Sequence, residues 1–130
     1  MTGKQRPLSP HLQIYRLPLN AILSISHRIS GALLALGAVL VVALLVAAAS
    51  GSQAYQTMYT IAAHWAGQIV LIGFTLAFYF HFCSGIRHLF WDAGYGYHLR
   101  TAQRSAYAIL VAAVVLTIAT WAVAYGVSGG

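Results

Sequence analysis

ISGALLALGAVLVVALLVAAA, residues 29–49, carries no charged side chain and runs from Arg28 to the polar residues that begin at Ser50. A bilayer's hydrocarbon core takes about 20 residues of apolar helix, so this stretch predicts a membrane span. The helix is expected to start earlier, because Pro18 suits a first helical position and Leu19 to Ser26 stays apolar. A helix of about 30 residues is about 45 Å long at 1.5 Å per residue, which exceeds the ~30 Å hydrocarbon core. Its first turns, with Ser24, His27 and Arg28, therefore lie at or beyond the interface, where a soluble partner could cover them. Gly31, Ala35 and Ala38 form a stripe of small residues suited to close helix contact.

Two further apolar stretches follow, from Trp65 to Phe90 and from Tyr107 to about Tyr125. The predicted fold is all-α: an integral membrane protein with three transmembrane helices and its N-terminus on the cytoplasmic or matrix side. One membrane-anchor domain fills residues 1–130, with an N-terminal segment 1–17 and helices over about 19–50, about 64–91 and about 105–127. Ser50 to His64 reads as a short polar loop and Asp92 to Arg104 as a connection holding Arg100 and Arg104. All seven Lys and Arg residues fall before the first span or around the second connection; the other two exposed segments have none. By the positive-inside rule the N-terminus and second connection face the cytoplasm or matrix. Trp65 and Trp91 bracket the middle span as interfacial anchors would. No internal repeat is visible beyond the Ala/Val/Leu richness of spans one and three.

Composition agrees. Hydrophobic residues make up 60% and charged residues 6%, with a mean hydropathy of +0.76, against about 25% charged residues in soluble domains. Three spans leave no room for a separate soluble catalytic domain. The formal charge of +6 does not mark a nucleic-acid surface, since the basic residues sit at the ends of spans and serve as topology signals beside membrane lipid. Cys83 is the one cysteine and lies inside a span, so neither an intrachain disulfide nor a thiolate metal cluster is expected. The first 17 residues hold Lys4, Arg6 and Arg16 with Pro7 and Pro10, which resembles neither a secretory signal nor an organelle transit peptide. A bacterial inner membrane is expected ahead of a processed mitochondrial chain.

The middle span ends in His81, Phe82, Cys83, Ser84, Gly85, Ile86, Arg87, His88, Leu89, Phe90, Trp91, Asp92. At about 100° per residue, His81, Gly85, His88 and Asp92 share one face. Ionisable groups within a span are functional candidates by default. An imidazole at the depth of His81 suits two roles: a hydrogen bond to a carbonyl or serine on a neighbouring helix, or axial ligation of haem iron, with Gly85 leaving room for a flat macrocycle. Spacing admits both. On the first helix Ser24, His27, Arg28 and Gly31 form a second stripe. Arg28 either snorkels to lipid phosphate or binds an anion, such as a haem propionate or the oxygen of a reduced quinone, beside the Ser24 hydroxyl. Asp92 is the only acid; it pairs with Arg87 or Arg28, caps a turn, or passes protons, and pairing is the expected role. His64 reads as an interfacial residue, His11 and His98 as solvated or partner-facing, and Tyr95 and Tyr97 as an interfacial layer.

Two blocks, RPLSPHLQIYRLPLNAILSISHRISG (Arg6 to Gly31) and HFCSGIRHLFWDAG (His81 to Gly94), resemble the cytochrome b556 large-anchor-subunit family of succinate dehydrogenase, respiratory complex II. The three-span layout fits the same family over the whole chain. The resemblance implies that His81 is an axial ligand to the iron of haem b, shared with a second membrane subunit that gives the other ligand. It implies a quinone site at Ser24 and Arg28 with Ile25 beside the ring. It implies that His27, Arg28 and, by position, His88 lie near the haem propionates, with Asp92 in support.

The resemblance further implies the partners: a flavoprotein that oxidises succinate, an iron–sulfur protein that relays electrons, and a second small three-helix anchor. The chain would then have no activity alone, and would serve two-electron, two-proton reduction of ubiquinone as substrate. The SPHLQIY segment resembles the mitochondrial and related bacterial branch, which favours ubiquinone reduction over a fumarate reductase working with another quinone. Two other classes stand beside this reading. One is a purely structural anchor whose polar stripes dock soluble subunits; the other is a small transporter, against which the uncharged outer halves of the spans argue, since no polar route crosses them.

Overall fold

The computed structural model of the chain describes residues 18–129. The basic N-terminal segment, with Lys4, Arg6, His11 and Arg16, lies outside the described residues. Four helices follow in order: α1 (Leu19–Ser50), α2 (Ser52–Ala63), α3 (Trp65–Asp92) and α4 (Leu99–Val127). Among the described residues α1, α3 and α4 are long and apolar enough to cross a membrane, and α2 is not. The 32 residues of α1 give about 48 Å of helix at 1.5 Å per residue, so its ends exceed a ~30 Å core as expected.

The segment Ser50 to His64 is not a loop. After Gly51, which turns the chain with φ +124, the 12 residues of α2 form a helix. Its polar positions Gln53, Gln56, Thr57 and Thr60 fall on one face and Ala54, Met58 and Ala62, all half-buried, on another. Thr57 and Thr60 each donate a hydroxyl proton to the carbonyl four residues back, at 3.0 and 2.8 Å. His64 breaks the helix with extended backbone and caps α3, its Nδ1 accepting from the Ala66 N–H at 3.3 Å. The second connection is also shorter than the sequence suggests. Gly94 and Gly96, both at positive φ, make the turn, and α4 begins at Leu99. Ala102 and Ala106 already face the bundle there while Arg100 and Arg104 stay exposed, and this periodicity extends the helix toward its N-terminus.

The central helix is α3, which packs against both α1 and α4, while α1 and α4 meet only over a short length. Leu23, Phe80, Ala106, Ile109 and Ala113 form the buried core, with Leu19, Tyr79 and Cys83 packed on it. On α4 the buried positions Ala102, Ala106, Ile109, Ala113 and Thr117 recur every three or four residues, and most are small, so the α3 and α4 backbones approach closely. Outside this seam the surface is apolar: Val39, Leu45, Val111, Ile118 and Val123 are each more than half exposed. A belt of that kind is matched by hydrocarbon rather than by water.

Side-chain hydrogen bonds pin α3 to α4 toward the uncharged end. Trp121 donates to Thr75 Oγ1 at 3.2 Å and Tyr125 to Gln68 Oε1 at 2.5 Å. Thr120 gives its hydroxyl proton to the Leu116 carbonyl, so in the 2.6 Å contact between Tyr79 and Thr120 the phenol is the donor.

Candidate functional site

The opposite, basic end holds the chemistry. Three imidazoles stand in a row between α1 and α3. The His27 ring lies 4.1 Å from that of His81 and 4.8 Å from that of His88, both edge-on. His81 and His88 are two helical turns apart on α3, and His27 of α1 fits between them. Despite this grouping, no set of three or more His, Cys, Asp or Glu side chains among the described residues converges as the ligands of a lone metal ion would.

His81 is half-buried and turned toward α1. Its Nδ1 sits 3.1 Å from the His27 carbonyl oxygen and 3.2 Å from Ser30 Oγ. Ser30 donates its hydroxyl proton to the same carbonyl, at 2.8 Å, so it offers His81 only lone pairs. Facing two acceptors, Nδ1 carries the ring proton and donates it. The neutral ring then has its free lone pair on Nε2, which has no hydrogen-bond partner among the described residues. That tautomer is the one a metal-binding histidine adopts when its other nitrogen donates to a carbonyl. One turn on, a Cβ built at Gly85 would meet nothing within 4 Å, so the face beside His81 is open. His27 Nδ1 is buried without a hydrogen-bond partner among the described residues, and such atoms are few in a native fold. A neutral nitrogen ligand, an open helix face and an orphaned imidazole nitrogen fit a haem with polar substituents at the membrane edge.

His88 Nδ1 donates to the Ser84 carbonyl at 2.7 Å, which fixes its ring along the helix. The structure divides the stripe expected on α1. His27 and Gly31 face α3, whereas Ser24 is half-buried and Ile25 and Arg28 are exposed on the adjoining side. Arg28 therefore does not face His81 directly; it stands beside the imidazole row, with no hydrogen bond to another described residue. Only the first member of the small-residue stripe makes the close approach it predicts. The helices meet at Gly31 against His81 and at Gly37 against Phe74, while Ala35 and Ala38 are exposed.

Sequence reasoning missed Arg87 as a structural centre. The residue is 6% exposed, and its guanidinium donates to Asn20 Oδ1 of α1 at 2.5 Å and to the Ala102 carbonyl of α4 at 3.4 Å. It also lies 4.2 Å over the Trp91 ring, a cation–π contact. Arg87 thus joins the basic ends of all three spans and is not the partner of Asp92, which is exposed and forms no ion pair among the described residues. Nor is Trp91 a free interfacial anchor. It is the platform under Arg87, and its indole donates to the Gly96 carbonyl at 3.2 Å while Tyr97 donates to the Trp91 carbonyl. The signal was available: Asn20 precedes Ser24 by one turn, and Arg87 falls on the α3 face that also carries Phe80 and Ser84.

Three apolar spans with three imidazoles gathered at the basic end describe a membrane-spanning subunit with its polar groups concentrated at one face. The chain belongs to the succinate dehydrogenase/fumarate reductase transmembrane subunit family, whose model matches residues 2–120. It is similar to the succinate dehydrogenase cytochrome b556 subunit of Paracoccus denitrificans, 46% identical over 115 residues and 88% of each chain. The subunit of that name from Rickettsia typhi is 37% identical over 90% of this chain and 91% of its own. The succinate dehydrogenase cytochrome b560 subunit of Reclinomonas americana is 36% identical over 89% of this chain and 84% of its own.

Proposed function

We propose that this chain is the membrane-anchor cytochrome b subunit of succinate:ubiquinone oxidoreductase in a bacterial inner membrane, with its basic end toward the cytoplasm. His81 Nε2 would hold the iron of haem b, with a further ligand supplied by a second small three-helix membrane subunit. Bound there, the haem would supply one-electron redox capacity close to the quinone. His27 and His88 face its propionates, joined by the Arg28 guanidinium. The observation that carries the reading is the His81 tautomer, set by the His27 carbonyl and Ser30, which leaves Nε2 free beside an open helix face.

Ser24, Ile25 and Arg28 form this chain's part of the ubiquinone-reduction site. The Ser24 hydroxyl hydrogen-bonds a quinone oxygen, Ile25 packs beside the ring, and Arg28 stabilises negative charge as it develops on oxygen. Arg28 is exposed in the isolated chain, as suits a group covered by the iron–sulfur protein that delivers electrons from the succinate-oxidising flavoprotein. Asp92, exposed at the same end, is the supporting carboxylate. The chain has no activity alone; its part is binding, orientation and charge stabilisation.

Two substitutions in the purified complex test the proposal. His81→Leu is expected to change the reduced-minus-oxidised b-type spectrum, and an unchanged spectrum removes the haem role and leaves a structural anchor. Arg28→Leu is expected to lower quinone reductase activity far more than succinate oxidation with an artificial acceptor; equal losses mean failed assembly, not a quinone site.

A further inference from the structure

The ring of His81 is held from α1 by two consecutive residues, Ser30 and Gly31, of which the sequence patterns pick out only Gly31. Ser30 is 6% exposed and is locked by its own bond to the His27 carbonyl, so its lone pairs are fixed toward His81 Nδ1. Gly31 is the next residue. A Cβ built there would lie 2.9 Å from His81 Cε1, 3.5 Å from Nδ1 and 3.8 Å from Nε2. The atoms it meets belong to an aromatic ring, which cannot give way as the end of a flexible chain does. An added methyl group therefore forces the imidazole to turn or the two helices to part.

We propose that Ser30, Gly31 and the His27 carbonyl form a cradle that sets the tautomer and the ring plane of His81, which makes Ser30 and Gly31 positioning residues for the iron ligand. The inference rests on the haem role of His81 stated above. Ser30 acts through charge: an acceptor on Nδ1–H makes Nε2 a stronger donor to metal and favours the oxidised iron. Gly31 acts through shape, since the absence of a side chain lets the Cε1 edge of the ring come up against α1. The two effects separate experimentally, because Ser30→Ala alters ligand strength with little change of volume, whereas Gly31→Ala alters ring orientation while both acceptors stay.

Outer-shell partners of metal-bound histidines are worth about 10–100-fold in metal affinity. In the whole complex, Ser30→Ala is expected to speed haem transfer to excess apomyoglobin about tenfold, the lower end of that range, because the His27 carbonyl remains. It is also expected to raise the haem midpoint potential. Ser30→Thr, which keeps the hydroxyl, should return both toward wild type, a rescue that a purely space-filling role would not give. Gly31→Ala is expected to shift the low-spin electron paramagnetic resonance signal of the oxidised haem. Should Gly31→Ala fail to assemble, the transfer rate and midpoint of Ser30→Ala decide alone. Wild-type transfer rates, midpoint and resonance signal in the variants that assemble overturn the cradle. His81→Leu, run alongside, keeps the two readings distinct. If His81→Leu leaves the b-type spectrum unchanged, the haem role itself fails. If His81→Leu changes it while Ser30→Ala and Gly31→Ala behave as wild type, only the cradle is wrong.

Discussion

Gly85 gives a perturbation whose effects on fold and on cofactor have opposite signs. It lies two turns before the end of α3, one turn from His81, and a Cβ there would meet nothing within 4 Å. For the chain by itself Gly85→Leu creates no clash. It also removes a helix-interior glycine, which costs about 0.8 kcal/mol relative to alanine or leucine. The anchor's own stability is therefore expected to stay level or rise slightly. If a flat macrocycle occupies that face, the leucine side chain must be accommodated in filled space, at about 1–3 kcal/mol. At 1.4 kcal/mol per tenfold this weakens haem binding by roughly 5- to 150-fold. The assay is haem per flavin in the purified complex, by pyridine haemochromogen, with succinate oxidation by an artificial acceptor as the measure of assembly. The expected result is an assembled complex short of haem. Full haem content with an unaltered spectrum would show that the macrocycle lies on another face. Loss of assembly would also refute the reasoning, because the open face would then be a protein contact.

Other substitutions probe what holds the site in place. Asn20→Ala leaves the buried Arg87 guanidinium without its 2.5 Å acceptor, and hydrogen bonds to charged groups are worth about 1.5–3 kcal/mol. Arg87→Met leaves behind only a neutral, half-buried amide, so Asn20→Ala is expected to lower the thermal midpoint of the complex more than Arg87→Met does; the reverse order would mean that Arg87 is not held by Asn20. Gly67→Ala would bring a Cβ to 2.2 Å from the Ile61 carbonyl oxygen, a backbone atom with little freedom, whereas Gly73→Ala meets nothing within 4 Å. The first is expected to destabilise the α2–α3 corner and the second to be neutral. Equal thermal midpoints would disprove the close approach.

The spans were legible because an uncharged apolar run has few alternatives once its length matches the bilayer. The short helix α2 was not, because its polar residues suggested a loop. Its signal is a period, Ala54, Met58 and Ala62 against Gln53, Gln56 and Thr60, rather than a composition. The imidazole face of α3 was legible from spacing, since His81 and His88 are seven residues apart and land on one side of any helix. What spacing could not give was the partner across the gap. Residues 24, 27, 28 and 31 fall within one broad arc of α1, and only packing tells which part of that arc meets α3. His27 and Gly31 do, and Ser24 and Arg28 do not. The preference follows from volume: Gly31 is the position where the His81 ring can come up against the helix, and contact there turns the long side chain of Arg28 outward.

The cost of polar groups in hydrocarbon separates structural from functional residues without reference to any relative. Each polar side chain on the uncharged half of the α3–α4 seam has found a partner within the chain: Tyr79 with Thr120, Trp121 with Thr75, Tyr125 with Gln68. These groups are neutral, paired and complete, as expected of bonds that only fasten helices. At the basic end the same accounting does not close. Among the described residues His27 Nδ1, Ser84 Oγ and Arg87 Nε are buried without partners, and His81 Nε2 has no hydrogen-bond partner. Buried polar atoms without partners are few in a native fold, and here they gather within about two turns of helix where three imidazoles and a guanidinium meet. An isolated three-span protein would gain stability by replacing them with apolar residues, as the other half of the bundle largely does. Their persistence at one end is explained if that end is kept for polar chemistry, while the other serves only to fasten helices.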